Sequence, residues 1–275
     1  MTAVVPKAAD ASPRARRAPR TNQRAAILFV VLLAAGLSLW ELLVRSGSLS
    51  PLAPSVGAVA ARAVELLSDP FAVDGSTVGI GWDLIGSLQR VALGFGGAAL
   101  VGVPLGFAVG VSRVVWKAVD PFVQVLKPVS PLAWLPIGLA LLQSSQGTAL
   151  FVIFVSALWP IVLNTALGVR GVPEPYLALA RTVEASRWTI ARRVLLPAAL
   201  PSIVTGLRLS LGIAWVVIVA AEMLMGGQGI GYFVWNEWNN LNVSSIVVAI
   251  LVIGLVGLGL DRALGLLERT VRHGD

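Results

Sequence analysis

The sequence predicts an all-α integral membrane protein with six transmembrane helices, and three observations carry that prediction. Of its 275 residues, 56% are hydrophobic and only 13% are charged, against roughly 25% charge in an average soluble domain. Apolar runs of about 20 residues, the length a helix needs to cross a bilayer, recur at 25–44, 91–111, 120–142, 148–168, 201–224 and 243–264. The basic residues behind the formal charge of +7 sit in short segments flanking those runs. That placement is a topology signal and not the basic face of a nucleic-acid-binding domain, so no nucleic-acid partner is expected. With no cysteine in the chain, disulfides and thiolate metal sites are excluded.

Taken in order, residues 1–24 are rich in Ala, Pro and Arg and read as a disordered basic tail. The run at 25–44 is longer than a signal-peptide apolar region, and no small-x-small cleavage site follows it, so it reads as an uncleaved anchor. In the segment that leads to residue 82, Val56, Val59, Ala60, Ala63, Val64 and Leu67 recur at helical spacing and predict a short amphipathic surface helix. The second span carries Gly102, Gly106 and Gly110 at every fourth position. Small residues at that spacing let helix backbones approach closely, within the subunit in preference to a subunit interface. Lys127, Pro128, Pro131 and Pro136 make the third span kinked.

Orientation follows from the arginines. If the helices alternate, Lys7, Arg14, Arg16, Arg17, Arg20 and Arg24, then Arg113 and Lys117, then Arg170, Arg181, Arg187, Arg192 and Arg193, then Arg262, Arg269 and Arg272 all fall on one side. The other side has Arg45 and Arg62, with Arg90 at a helix edge. The positive-inside rule then places both termini, including the tail 270–275, in the cytoplasm.

Between the fourth and fifth spans lies a charged island. Pro173 and Pro175 end the approach, residues 176–183 form a short helix, and Ser186 caps a second one that runs to about Leu195. Pro197 and Pro201 mark a turn into the next span. A rigid element with Arg181, Arg187, Arg192 and Arg193 beside apolar residues suits docking on another protein, and it equally suits a lid on anionic lipid.

The island resembles the coupling loop of bacterial ABC-importer permeases. That pattern reads Glu-Ala-Ala, three residues, Gly, nine residues, then Ile-x-Leu-Pro. Here Ala178-Leu179-Ala180 takes the first positions, Glu184 the glycine position and Val194-Leu195-Leu196-Pro197 the last. The resemblance implies the type I permease fold over 83–269, with a coupling loop at about 172–200. It implies contact with a separate ATPase through Tyr176, Leu177, Ala180, Arg181, Glu184, Ala185, Ser186, Arg187, Leu196 and Pro197, with Ala180 on the contact side. It further implies an extracytoplasmic substrate-binding protein, a homodimer of permeases in the lipid of the bacterial cytoplasmic membrane, and ATP and Mg held by the ATPase, with no cofactor in this chain. Glu184 at the glycine position implies either a strained turn or a differently shaped contact. The stretches 127–136, 158–170, 220–224 and 229–240 resemble the nitrate, nitrite and cyanate branch, to which sulfonate and taurine permeases are related.

Ionisable groups inside a span are functional candidates by default. Arg208 and Glu222 lie fourteen residues apart on one face of the fifth span, with Gly212, Trp215 and Val219. Arg208 either attracts an anion along the pathway or snorkels to the headgroups, and Glu222 is a structural or gating candidate on the same pathway. Asn164 and Thr165 offer neutral donors there or act as interhelical glue. Trp235, Trp238, Asn239 and Asn240 are expected on an outward loop. The three lysines, Lys7, Lys117 and Lys127, sit in no phosphate-binding loop, and the lone His273 has no catalytic partner, so the chain is read as non-enzymatic. A secondary carrier or channel is the alternative class, without explaining the island.

Overall fold

A computed structural model describes residues 18–74, 77–126 and 128–272. Expectations for the tail before Ala18, for Lys127 and for His273 fall outside the described residues. The chain divides between Ala58 and Val59 into two compact units.

The first unit is built on α1 (Ala18–Arg45), whose segment from Gln23 has a mean hydropathy of 2.5 and buries none of its apolar window. A helix this apolar and this bare is shaped for lipid contact. Its end is tied locally. Trp40 donates its indole N–H to the Pro54 carbonyl at 3.0 Å, and Glu41 pairs with Arg45 at 2.7 Å. The other Glu41 oxygen accepts the Val56 N–H at 2.9 Å, satisfying a donor that the start of α2 (Val56–Ser68) would otherwise leave unpaired. The amphipathic helix expected at 56–67 is therefore present.

The second unit is organised around α3 (Ile80–Val111), α6 (Ser145–Arg170) and α9 (Leu196–Met225). In lipid, helices gain little from burying apolar surface against one another, so close packing must hold them. The glycines provide it. A methyl group added at Gly94 would lie 2.7 Å from Ile153, at Gly102 2.9 Å from Ile161, at Gly106 2.6 Å from the Val162 carbonyl, and at Gly110 2.8 Å from Val169. The glycine stripe of α3 thus packs on α6 inside the subunit. Gly168 against Ser202 and Gly206 against Asn164 repeat the device between α6 and α9. Gly106→Ala should cost about 1–3 kcal/mol through overpacking, read as a lower thermal midpoint in detergent. Gly96→Ala, where nothing lies within 4 Å of the new methyl, should leave that midpoint unchanged.

Several boundaries differ from expectation. The span expected at 91–111 starts at Ile80, which puts Asp83, Ser87 and Arg90 within the helix and not at its edge. The kinked span expected at 120–142 is two helical stretches, α4 (Arg113–Leu126) and Pro131–Leu142, bent by 94°; the second contains α5 (Leu135–Leu142). Prolines at 128, 131 and 136 remove the N–H groups a continuous helix would need there. Among the described residues, five helices are long and apolar enough to cross a membrane, and the bent pair makes six.

The island begins with α7 (Glu174–Thr182). After it, α8 (Arg187–Ile190), a π-helical turn (Ala191–Leu195) and α9 follow without a break, giving one span of 39 residues from Arg187 to Met225. The expected turn at Pro197 and Pro201 is absent. The Leu196 N–H reaches back five residues to the Ala191 carbonyl, so the widened turn accommodates the proline that follows it. Trp235, Trp238 and Asn239, expected on a loop, lie in α10 (Ile230–Asn239), and α11 (Val243–Arg272) completes the bundle, docked on α9 by the Trp215 indole N–H to the Ile253 carbonyl at 3.1 Å. Among the described residues, a pair of two-residue antiparallel strands, Val73–Asp74 with Thr77–Val78, is the one sheet in an otherwise helical architecture.

Candidate functional site

The island is a helix, a tight turn and a second helix, and its turn explains the glutamate. Glu184 has φ 54°, in the left-handed region. The Ala185 N–H bonds the Ala180 carbonyl at 3.0 Å and the Glu184 N–H bonds the Arg181 carbonyl at 2.9 Å, the 6→1 and 5→2 pair of a Schellman motif. Glu184 therefore occupies the position a glycine normally takes, at a cost of roughly 1–2 kcal/mol for its Cβ. The strained turn is therefore present at Glu184. Ser186 then caps α8, its hydroxyl accepting the Thr189 N–H at 3.2 Å.

The faces of α7 are the reverse of the expected ones at one residue. Ala180 is only 8% exposed and turns into its own subunit, and Leu177 packs with Val169, Val172, Leu195, Ala199 and Ile203. Ala180 is thus not on the outward contact side. That side carries Tyr176, Leu179 and Val183, 62%, 65% and 69% exposed, at i, i+3 and i+7, with Trp188 exposed beside them. Apolar side chains this large and this exposed mark an interaction surface. Leu196 and Pro197 are also exposed, at the start of α9. Behind the island, Arg113, Arg170, Arg181 and Arg187 line a cavity of about 830 Å³ with Glu174. Arg181 pairs with Glu174 at 3.1 Å and the Arg170 guanidinium lies 4.9 Å over the Trp116 ring.

Arg208 and Glu222 share α9 but face different neighbours. Arg208 grips α11: Nε and Nη2 donate to the two oxygens of Asp261 at 2.7 Å each, and Nη1 donates to Glu268 at 3.0 Å. Glu222 is 2% exposed and faces α3 and α10. Its carboxylate accepts from Arg90 Nη1 at 2.7 Å, from Ser87 Oγ at 2.8 Å and from the Gly231 N–H at 3.0 Å. Sequence reasoning missed these partners. Asp83, Ser87 and Arg90 do stand at i, i+4 and i+7, and Asp261 and Glu268 at i and i+7, so each set lies on one helix face once the helix is drawn long enough.

Asn164 and Thr165 separate. Asn164 donates its amide N–H to the Pro160 carbonyl at 2.8 Å and lines a cavity of about 370 Å³ with Ser156, Trp159, Trp134, Leu209 and Ile213. Thr165 is fully buried in the α3–α6 seam against Gly106, with its hydroxyl unpaired. Trp235, Trp238, Asn239 and Asn240 are exposed on or just after α10. Among the described residues, no group of three or more acidic or histidine side chains converges to hold a metal.

Comparison with known proteins gives consistent matches. Residues 102–273 match the family model described as binding-protein-dependent transport system inner membrane component. The nitrate import permease protein NrtB of Synechocystis is 45% identical over 249 residues, covering 90% of this chain and 88% of that one. The bicarbonate transport system permease protein CmpB of Synechococcus elongatus is 43% identical, covering 86% and 85%. Among solved structures, a chain of the inward-facing MetNI methionine ABC transporter superposes with a TM-score of 0.62 at 17% identity, over 70% of this chain and 95% of that one. The last match establishes the fold alone.

Proposed function

The chain belongs to the inner membrane component family of binding-protein-dependent transport systems, and as a permease subunit of such an ABC importer we propose that it conducts a small inorganic anion, nitrate before others. The observation that carries this reading is the 45% identity, over nine-tenths of the chain, to a nitrate import permease, joined by the resemblance of the stretches 127–136, 158–170, 220–224 and 229–240 to the nitrate, nitrite and cyanate branch. Bicarbonate is the second reading, because a bicarbonate permease is similar at 43%. Both ions are planar oxyanions of single charge, and a path that accepts one by neutral hydrogen-bond donors is close in size and chemistry to a path for the other. Nitrite, cyanate and the sulfonates of related permeases follow.

In this reading the subunit catalyses no reaction itself. Two copies form the permease, a separate ATPase carrying ATP and Mg docks on each island, and an extracytoplasmic binding protein delivers the anion to the other end. The island and both termini face the cytoplasm, since along the sequence most of the arginines fall on that side of alternating spans. The face formed by Tyr176, Leu179 and Val183 meets the ATPase, while Leu177 and Ala180 fix the island to its own span. ATP-driven closure of the ATPases moves the islands, and the 39-residue span that begins at Arg187 carries the displacement through the membrane. Asn164, at the cavity between the bent third span, α6 and α9, is the neutral donor retained on the path.

Reconstitution in liposomes with a cognate ATPase and binding protein tests this. ATP-dependent nitrate uptake, exceeding that of bicarbonate and taurine at least tenfold, is expected. Uptake of bicarbonate alone would overturn the substrate, and uptake without ATP would overturn the class. In intact cells, an impermeant thiol reagent should label Asn240→Cys and spare Ser186→Cys in this cysteine-free chain, and the reverse pattern would invert the topology.

A further inference from the structure

The first turn of α10 has an unusual support. The first N–H groups of a helix have no partner within it, and Gly229, at the cap position, has no side chain to offer one. Three successive N–H groups are instead met from other helices. Gly229 donates to Asp83 Oδ1 at 2.9 Å, Ile230 to Ser87 Oγ at 2.9 Å and Gly231 to Glu222 Oε2 at 3.0 Å. Arg90 closes the set, bonding Glu222 at 2.7 Å and the Gln228 carbonyl at 2.7 Å. A carboxylate at a helix N-terminus is electrostatically favoured, and at this depth neither Glu222 nor the N–H groups have water to fall back on.

The link that joins α10 to α9 is of opposite character. It reads Gly226-Gly227-Gln228-Gly229, and its three glycines have φ of 73°, 101° and 137°. These are conformations that glycine adopts and leaves at little cost. The polar set, the buried Ile230 and Val234 and the half-buried Phe233 hold the helix in place. The fit is close, because a methyl group on Gly231 would run into the Val219 carbonyl and the Glu222 side chain. Glu222 also rides on the same unbroken span as Arg187 at the island, about 50 Å away at 1.5 Å per residue.

We propose that Arg90 and Glu222 are positioning residues of the transport cycle: with Ser87 and Asp83 they latch α10, a lid hinged on the 226–229 glycines, and the latch releases when the path opens away from the island. The proposal rests on the importer reading for its cycle, and on the geometry alone for the latch. A lid bonded through fixed side chains has two discrete positions, bonded or released, and a displacement of α9 that carries Glu222 from the Gly231 N–H favours release.

The test uses the complete permease–ATPase complex in nanodiscs with Ile230→Cys, since Ile230 is fully buried on the lid's own inner face and the chain has no other cysteine. An impermeant maleimide should react slowly in the resting complex, and at least tenfold faster when the complex is trapped with vanadate and ATP in the presence of the binding protein. Adding Glu222→Gln should raise the resting rate to near the trapped one and raise ATP hydrolysis without substrate. Arg90→Lys in place of Glu222→Gln keeps the charge and should leave most of the protection intact. Equal reaction rates in the resting and trapped complexes would overturn the proposal even if Glu222→Gln fails to assemble, and an unchanged resting rate in Glu222→Gln would overturn it as well. Failure of the importer reading shows separately, as absent ATP-driven uptake by a complex whose lid still loosens in Glu222→Gln.

Discussion

Leu179→Asp is expected to abolish co-purification of the ATPase and to reduce substrate-stimulated ATP hydrolysis more than tenfold, with the permease itself inserted and folded as before. Leu179 is 65% exposed in the free subunit, so an aspartate there stays in water and costs the fold little. Docking would take that carboxylate out of water without a partner, a penalty of several kcal/mol, and the lost apolar anchor adds to it. Two neighbouring variants locate the effect. Ala180→Asp puts its charge into the subunit's own packing and should lower permease yield, whereas Arg192→Gln, on the exposed second half of the island, should change association less than threefold. If Leu179→Asp retains the ATPase at wild-type stoichiometry, the face of Tyr176, Leu179 and Val183 is not the contact, and lipid is left as its partner.

That reversal at Ala180 shows what periodicity leaves open. Helical spacing separates Leu177 and Ala180 from Tyr176, Leu179 and Val183, but it does not say which set faces inward. Tyr176, Leu179 and Val183 lie outside, against the usual preference, while Leu177 packs inward beside Val172 and Leu195. Glu184 is the complementary case. The residue identity argued against a glycine-type turn, while the spacing of the motif argued for it, and the backbone followed the spacing.

The spans that were legible are those whose apolar runs are uninterrupted. The first eleven residues of α3 were not, because Asp83, Ser87 and Arg90 lower the local hydropathy, and Glu222, the partner of Ser87 and Arg90, lies more than 130 positions downstream. A charge inside a membrane helix reads as a functional group or a helix end until its partner is known. The same non-local pairing hid Asp261 and Glu268, which are the partners of Arg208. The break in the third span was signalled by its prolines, but the angle at which the two halves meet depends on α6 and α9 packed against them.

Arg208→Gln should cut transport at least tenfold, and the reason decides between two roles for this residue. Its guanidinium is already committed, with Asp261 bound across both forks at 2.7 Å and Glu268 at 3.0 Å. A transported anion would have to displace a carboxylate held in the preferred bidentate geometry. We therefore expect the loss to come from assembly, since two carboxylates are left facing each other on α11 without the charge that α9 supplied. Arg208→Lys should retain part of both yield and transport, because an ammonium keeps the charge but cannot span both acceptors. The decisive variant is the triple neutral chain, Arg208→Gln with Asp261→Asn and Glu268→Gln. Removing an entire ionic set is far less harmful than removing one member of it, so yield and most of the anion flux should return. Recovery of yield with no recovery of flux would mean that the anion uses the guanidinium charge directly, and would place Arg208 on the pathway beside Asn164.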